Sequence, residues 1–143
     1  MDDSNFQGFK ALDKKLRALG QELGGQALRQ SLSAAVTPVV NTIRRNAPVG
    51  KVPHRTYTGR LVLPGFLSRN IKKRSRLSKD RRRATVEIGV SAEAFYGPLF
   101  LELGTKHIAK DEWMTQPFEQ GQGVVINRLW RELIKRINRI VKR

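Results

Sequence analysis

Apolar residues in this chain recur at helical spacing near both ends and at every second position in the middle, which predicts helical flanks around a β-ribbon. Phe6, Phe9, Leu12, Leu16 and Leu19 form the first stripe, and Lys10, Lys14, Lys15 and Arg17 fall largely off it, so an amphipathic helix is expected. Gly20 and the pair Gly24-Gly25 punctuate its end. From about Gln26 a second stripe runs through Leu28, Leu32, Ala35, Val36, Val39, Ile43 and Ala47. Pro38 sits inside it, and because proline lacks a backbone donor and crowds the preceding turn, a kink or break is expected there. Pro48 marks the stop, since the residue before proline avoids helical geometry.

The middle of the chain changes period. Ile71, Lys73, Ser75 and Leu77 alternate with Lys72, Arg74 and Arg76, and Ala84, Val86, Ile88 and Val90 alternate with Thr85, Glu87 and Gly89. This predicts a β-hairpin over about 70–90, packed on one face and wet on the other, with its tip at Ser78 to Arg83. A basic residue across from Glu87 would offset part of the like-charge repulsion on the wet face. Ahead of it, about 50–65 has no clean period and reads as a long basic loop carrying Lys51, His54, Arg55 and Arg60. A loop of that length either reaches a neighbouring subunit or stays flexible until a partner arrives.

After the hairpin, the run from Phe95 to Leu103 is stopped by Gly104-Thr105 and resumed at Pro117-Phe118, which describes a packed element, a sharp turn and a loop returning to the core. A strand is expected within Tyr96 to Leu103. Beyond Gln122, Ile126, Leu129, Trp130, Leu133, Ile134, Ile137, Ile140 and Val141 oppose Arg128, Arg131, Lys135, Arg139 and Lys142 in the clearest amphipathic helix of the chain. The expected fold is α+β: one domain over residues 1–143, with a small antiparallel sheet packed against long N-terminal and C-terminal helices.

Charge sharpens this picture. Lys and Arg number 28 against 12 Asp and Glu, a net charge of +16 that requires a negative partner: nucleic acid, anionic lipid or an acidic protein. The surplus is placed, not smeared. Twelve basic residues stand against Asp80 alone between Lys51 and Arg83, and seven stand against Glu132 from Arg128 to Arg143. Lys72, Arg74, Arg76, Lys79, Arg81, Arg82 and Arg83 are therefore the candidate contacts to DNA phosphates or to an acidic partner. No aromatic residue lies between Asn70 and Arg83, which argues against a base-stacking platform for single strands. The last helix, basic on one side and apolar with Trp130 on the other, also suits a membrane surface, although a domain core needs the same stripe.

Candidate chemistry is sparse. No catalytic set is recognised, and neither a nucleophile elbow, a Walker loop nor a dinucleotide fingerprint occurs. His54 and His107 lie in separate predicted loops without a cysteine partner, so no metal site and no cofactor are expected. Glu102 is the one acid in an apolar setting, and with no second acid or nucleophile beside it an ion pair to an Arg is the favoured role, in the same subunit or the next. The absence of cysteine is compatible with a reducing cytosol. The acidic, polar start at Met1-Asp2-Asp3 and the lack of a long apolar run argue against a cleaved signal and against membrane insertion.

Order and spacing of the motifs add a resemblance. Tyr96-Gly97, an apolar run, Glu102-Leu103-Gly104-Thr105, a spacer, Gln116-Pro117-Phe118 and a long terminal helix resemble the gene-product-ten-like family of long-tailed bacteriophages, whose members are tail-completion or head–tail neck components. Asn46-Ala47-Pro48-Val49, Thr58-Gly59-Arg60-Leu61 and Ser68-Arg69-Asn70-Ile71 look like that family's helix end, turn and first strand. The stretch from Gly50 to Gly65 and the charged spacer from His107 to Thr115 are longer than the pattern.

The resemblance implies a non-catalytic virion protein assembled in the host cytoplasm. It would form a homo-oligomeric ring around the DNA path at the head–tail junction, a hexamer first and a dodecamer as the other choice. Head-closure and tail-terminator or tail-tube proteins would be its neighbours. The subunit interface assigned on this basis is Arg55, Arg60, Tyr96, Glu102, Trp113 and Phe118. A free-standing, sequence-independent nucleic-acid-binding protein is the alternative function.

Overall fold

The first predicted stripe falls on helix α1, Asp3–Ala18, and the second begins on α2, Gly20–Ala35, which starts ahead of the expected Gln26. The computed structural model describes residues 3–18 and 20–142, and all their side chains except those of residues 3–7, 16, 18, 21, 22 and 96. The side chains of Phe6 and Leu16, and Leu19 altogether, lie outside these described parts. Gly20 opens α2 with φ of 79°, a left-handed conformation that glycine adopts without a Cβ clash, so it divides α1 from α2 as its position suggested. Gly24 and Gly25 do not punctuate anything. They lie inside α2, and the hairpin explains Gly25.

The break predicted at Pro38 is present. Helix α3 spans Thr37–Asn46, and Pro38 occupies its first turn, where a missing amide costs no intrahelical bond. The described residues then form two compact units. The first comprises the described residues of 3–36, Arg74–Val86 and 124–142, and the second comprises Thr37–Lys73 and Glu87–Gly123.

In the first unit the core is a helix junction. Leu12 of α1, Ala27 of α2, and Leu133 and Ile137 of the long helix α6 (Thr115–Val141) are buried together, with Leu28, Trp130, Ile134 and Ile140 packed on them. Phe9 meets Trp130 edge-on, ring centroids 5.1 Å apart. That geometry suits the ring quadrupoles. The stripe predicted for α6 is thus used over its central turns, while Ile126 and Val141 towards its ends remain exposed.

In the second unit Val39, Val40, Ile43 and Ala47 form the α3 side of the core, and Val62, Leu67, Ile71, Ala94 and Trp113 are also buried. A Cβ on Gly121 would come within 2.4 Å of a Val39 methyl, so the early part of α6 reaches α3 at a distance only glycine permits. The basic stretch 50–65 contains a small antiparallel pair, β1 (His54–Arg55) and β2 (Leu61–Val62), with His54 opposite Val62 and Arg55 opposite Leu61. Its turn is closed by the Thr56 amide on the Arg60 carbonyl at 2.9 Å and by Gly59, whose φ is 84°. A short helix, α4 (Phe66–Arg69), follows, and the Arg44 guanidinium donates to the Ile71 carbonyl at 2.8 and 3.2 Å, tying the start of the next strand to α3.

The predicted hairpin consists of β3 (Ile71–Leu77) and β4 (Ala84–Val90), paired in a two-stranded sheet. Exposure alternates along both strands in the phase read from sequence. A short 3-10 turn, Ala92–Ala94, leads to one correction: Tyr96–Leu103 is a helix, α5, and not a strand. Eight residues, nearly all apolar, show no decisive period, and Pro98 falls in the first turn where its lost donor has no helical partner to miss. Gly104, with φ of 73°, ends the helix, and the Asp111 amide satisfies the Leu101 carbonyl at 2.8 Å. The fold is α+β, with small antiparallel sheets and a long C-terminal helix.

Candidate functional site

Six residues, Ser78 to Arg83, build the tip of the β3–β4 hairpin from their own polar groups. The Ser78 amide donates to the Arg83 carbonyl at 2.8 Å, the Arg83 amide to the Ser78 hydroxyl at 2.9 Å, and the Arg82 amide to Asp80 at 3.2 Å. The Ser78 hydroxyl also donates to the Asp80 carboxylate. This hydroxyl first, and then the Arg82 amide, hold the Asp80 carboxyl below its ordinary range; desolvation opposes them, and the charges of Arg82 and Arg83 assist to a lesser degree. Asp80 thereby serves the turn itself. Lys79, Arg81, Arg82 and Arg83 are all exposed around it.

The tip lands on α2. Arg81 has φ of 57°, uncommon for a residue with a Cβ, and a Cβ on Gly25 would lie 2.7 Å from the Arg81 carbonyl oxygen and 3.2 Å from Leu77 Cδ2. Gly25 is therefore where the hairpin backbone meets the helix. Arg29 Nη1 donates to Ser75 Oγ at 3.4 Å beside this contact. A cleft of about 430 Å³ runs alongside, lined by Asp13, Arg17, Leu28, Arg81 and Arg82, with Arg17 paired to Asp13 at 2.9 Å.

Of the other predicted contacts, Lys72, Arg74 and Arg76 occupy the exposed positions of β3. Lys73 points the other way and donates to Thr37 Oγ1 at 2.7 Å; burial, and then the nearby Arg44 charge, lower its pKa. All seven predicted residues are thus on the solvent side, and the Ser78 and Asp80 side chains and the backbone amides order the turn. Such an arrangement suits many simultaneous contacts to phosphates or carboxylates, because less side-chain and loop freedom remains to be lost on binding.

The residues assigned to a subunit interface behave differently from one another. Arg55 lies on the β1–β2 arm and donates to the Gly59 carbonyl at 2.8 Å. Arg60 pairs with Glu93 at 3.2 Å and stands 5.9 Å over the Phe66 ring. Glu93 also accepts from Thr58 at 2.9 Å and from Thr56 at 3.3 Å. The Thr58 hydroxyl is the leading cause that lowers the Glu93 pKa, with desolvation opposing it and the Arg60 charge and hydrogen bond and the Thr56 hydroxyl assisting. Glu93 was missed in the sequence. The available signal was an arm with three cations and no acid, which calls for a carboxylate from elsewhere.

Tyr96 opens α5, and its side chain lies outside those described. Phe118 is 47% exposed on α6. Among the described residues Glu102 pairs with no arginine: it accepts from the Met114 amide at 3.0 Å and the Thr115 amide at 2.9 Å, capping the N-terminus of α6. Burial works to raise its pKa but is outweighed by the Thr115 side chain, the two amides and the Lys110 charge, so the net shift is downward. Trp113 is 4% exposed and its indole donates to the Pro98 carbonyl at 3.3 Å. That burial within its own unit removes Trp113 from the surface available to a neighbour. A groove of about 480 Å³ lies in this unit, lined by His54, Tyr57, Leu63, Phe66, Pro98 and Leu101 among others.

Among the described residues no three metal-ligating side chains converge, and no helix is long and apolar enough to cross a membrane. Trp130, the aromatic anchor of a membrane-surface reading, is packed against Phe9 in the first unit's core.

The described residues thus present an amphipathic helical frame that carries an exposed basic ribbon. Residues 10–104 match the HK97-gp10-like family model, described as "Bacteriophage HK97-gp10, putative tail-component". The match covers more than half of the chain, which therefore belongs to this family of bacteriophage tail components. No curated protein and no solved structure shows significant similarity to it.

Proposed function

We propose that this protein completes the tail or neck at the head–tail junction of a long-tailed phage, as a non-catalytic ring of identical copies around the DNA path. Six copies suit the sixfold symmetry of such tails, and twelve would match the portal. The observation that carries the reading is the ordered basic tip, in which Asp80 is consumed by the turn and Lys79, Arg82 and Arg83 are left facing solvent. Placed towards the channel, these cations, with Lys72, Arg74, Arg76 and Arg81, would neutralise backbone phosphates without reading sequence. Membership of a tail-component family supports the virion as its location. Head-closure and tail-terminator or tail-tube proteins are the neighbours this position implies.

Imaging the neck of purified virions tests the reading directly. Density for this chain in several symmetric copies at the junction is the expected result, and its absence there ends the proposal. The net charge of +16 keeps a second function in view, that of a free-standing duplex-binding protein. Under that function the isolated chain would bind any duplex with steep salt dependence, and each of Arg82→Gln and Arg83→Gln would reduce the slope by about one. The neck function predicts little binding before assembly.

A further inference from the structure

The arm from Val49 to Leu63 exposes Val49, Val52, Tyr57, Leu61 and Leu63 at 59% or more each, while Val62 is buried. It carries Lys51, Arg55 and Arg60 and no carboxylate of its own. Strands of two residues do not hold such an arm in place unaided, and the bonds to Glu93 do so here. Single exposed apolar side chains need no explanation. Five on one short basic arm mark an interaction surface whose partner must offer apolar contact together with negative charge.

The second unit carries a surface of that kind. Helix α5 turns Pro98 and Leu101 to the groove, whereas Phe100 and Leu103, on a different face of the helix, are 48% and 65% exposed. Ile108 and Phe118 are exposed on the loop and helix that follow. This corner is firmly built, by Thr105 N–H on the Ile108 carbonyl, Asp111 N–H on the Leu101 carbonyl, both at 2.8 Å, and the Glu102 cap on α6. Its charges are Lys106, Lys110, Asp111, Glu112 and Glu119. Lys110 is taken by Glu112, and among the described residues Asp111 and Glu119 make no ion pair, nor do Lys51 and Arg55 on the arm.

We propose that the arm of one copy docks on the α5–α6 corner of the next, with Lys51 and Arg55 meeting Asp111 and Glu119 around an apolar contact. The two surfaces differ in composition and involve different residues, so the contact is head-to-tail and propagates, closing as a ring when the rotation permits. This rests on the ring reading above and deepens it by naming both halves of the interface. A duplex would satisfy the arm's cations but leave five apolar side chains in water.

The chain has no cysteine, so Val52→Cys with Phe118→Cys gives a clean cross-link test in assembled phage particles. Oxidation is expected to produce a ladder of covalent multimers with the double variant and no ladder with either single variant. Particles that image with several copies but yield no ladder overturn the arm proposal and leave the ring standing. A single copy per particle sinks the ring reading, and the arm contact with it. Charge reversal gives a test that does not need the cysteines: Lys51→Glu with Arg55→Glu lowers infectivity, and adding Asp111→Lys with Glu119→Lys restores it at least about tenfold. Failure of that rescue, with the arm variant instead losing affinity for anionic vesicles, identifies lipid as the occupant and overturns the proposal.

Discussion

Gly25→Ala puts the docked hairpin tip to a test in which the sign of the effect decides. In a helix interior this substitution normally stabilises by about 1 kcal/mol, because glycine loses more backbone freedom on folding. Here the new methyl would stand 2.7 Å from the Arg81 carbonyl oxygen, 3.0 Å from Arg81 Cβ and 3.2 Å from Leu77 Cδ2. The nearest of these is backbone, held in turn by the Ser78 to Arg83 hydrogen bonds, so it cannot swing aside as a flexible side chain would. Overpacking of that kind costs about 1–3 kcal/mol, which outweighs the propensity gain and leaves a net loss of about 1 kcal/mol. Gly123→Ala is the matched control, since a Cβ there meets nothing within 4 Å on α6 and should stabilise by about 0.5–1 kcal/mol. Urea denaturation of both variants, with hydrogen exchange at the Arg82 and Arg83 amides, provides the measurement. If Gly25→Ala stabilises as much as Gly123→Ala and leaves those amides equally protected, the tip does not rest on α2.

Three further outcomes follow from the same geometry. Glu102→Ala should cost about 1–2 kcal/mol by uncapping α6, and Glu102→Gln about half of that, both read from denaturation midpoints. Because the folded Glu102 pKa is lowered, its contribution is complete above the unfolded value of about 4.3 and fades as pH falls through the lower folded value. The gap between wild type and Glu102→Gln should therefore narrow in acid, and a gap that widens contradicts the cap. Glu93→Gln should speed exchange at the Thr56 and Gly59 amides while Ile43 and Ile71 in the same unit stay protected, and unchanged arm exchange would show that Glu93 does not hold it. Asp80→Ala should raise exchange at the Arg82 amide, and an unaltered amide would mean that the turn orders itself without the carboxylate.

Much of the frame was legible because its causes are local. The break at Pro38 follows from one missing donor and a crowded turn, and the hairpin from an uninterrupted alternation of seven residues in each strand. The central stripe of α6 was equally plain. The strand expected at Tyr96 to Leu103 failed because eight largely apolar residues fit either period, and Pro98 is harmless in a first helical turn. The small β1–β2 pair escaped notice because two-residue strands carry no period at all.

The sequence alone determined where the chain is helical at its ends, where it alternates, and that its surplus charge is gathered on one ribbon and one helix. Such features depend on neighbours within a few residues, whose spacing is visible in a string of letters. Only the tertiary structure decided what Gly25, Glu93, Glu102 and Trp113 are for. Each answers to atoms 12 to 56 positions away: the Arg81 backbone, the Thr58 and Arg60 side chains, the head of α6 and the Pro98 carbonyl. Hydrogen bonds and steric contacts between distant segments leave no periodic trace, so a glycine that admits a backbone looks the same in sequence as one that ends a helix.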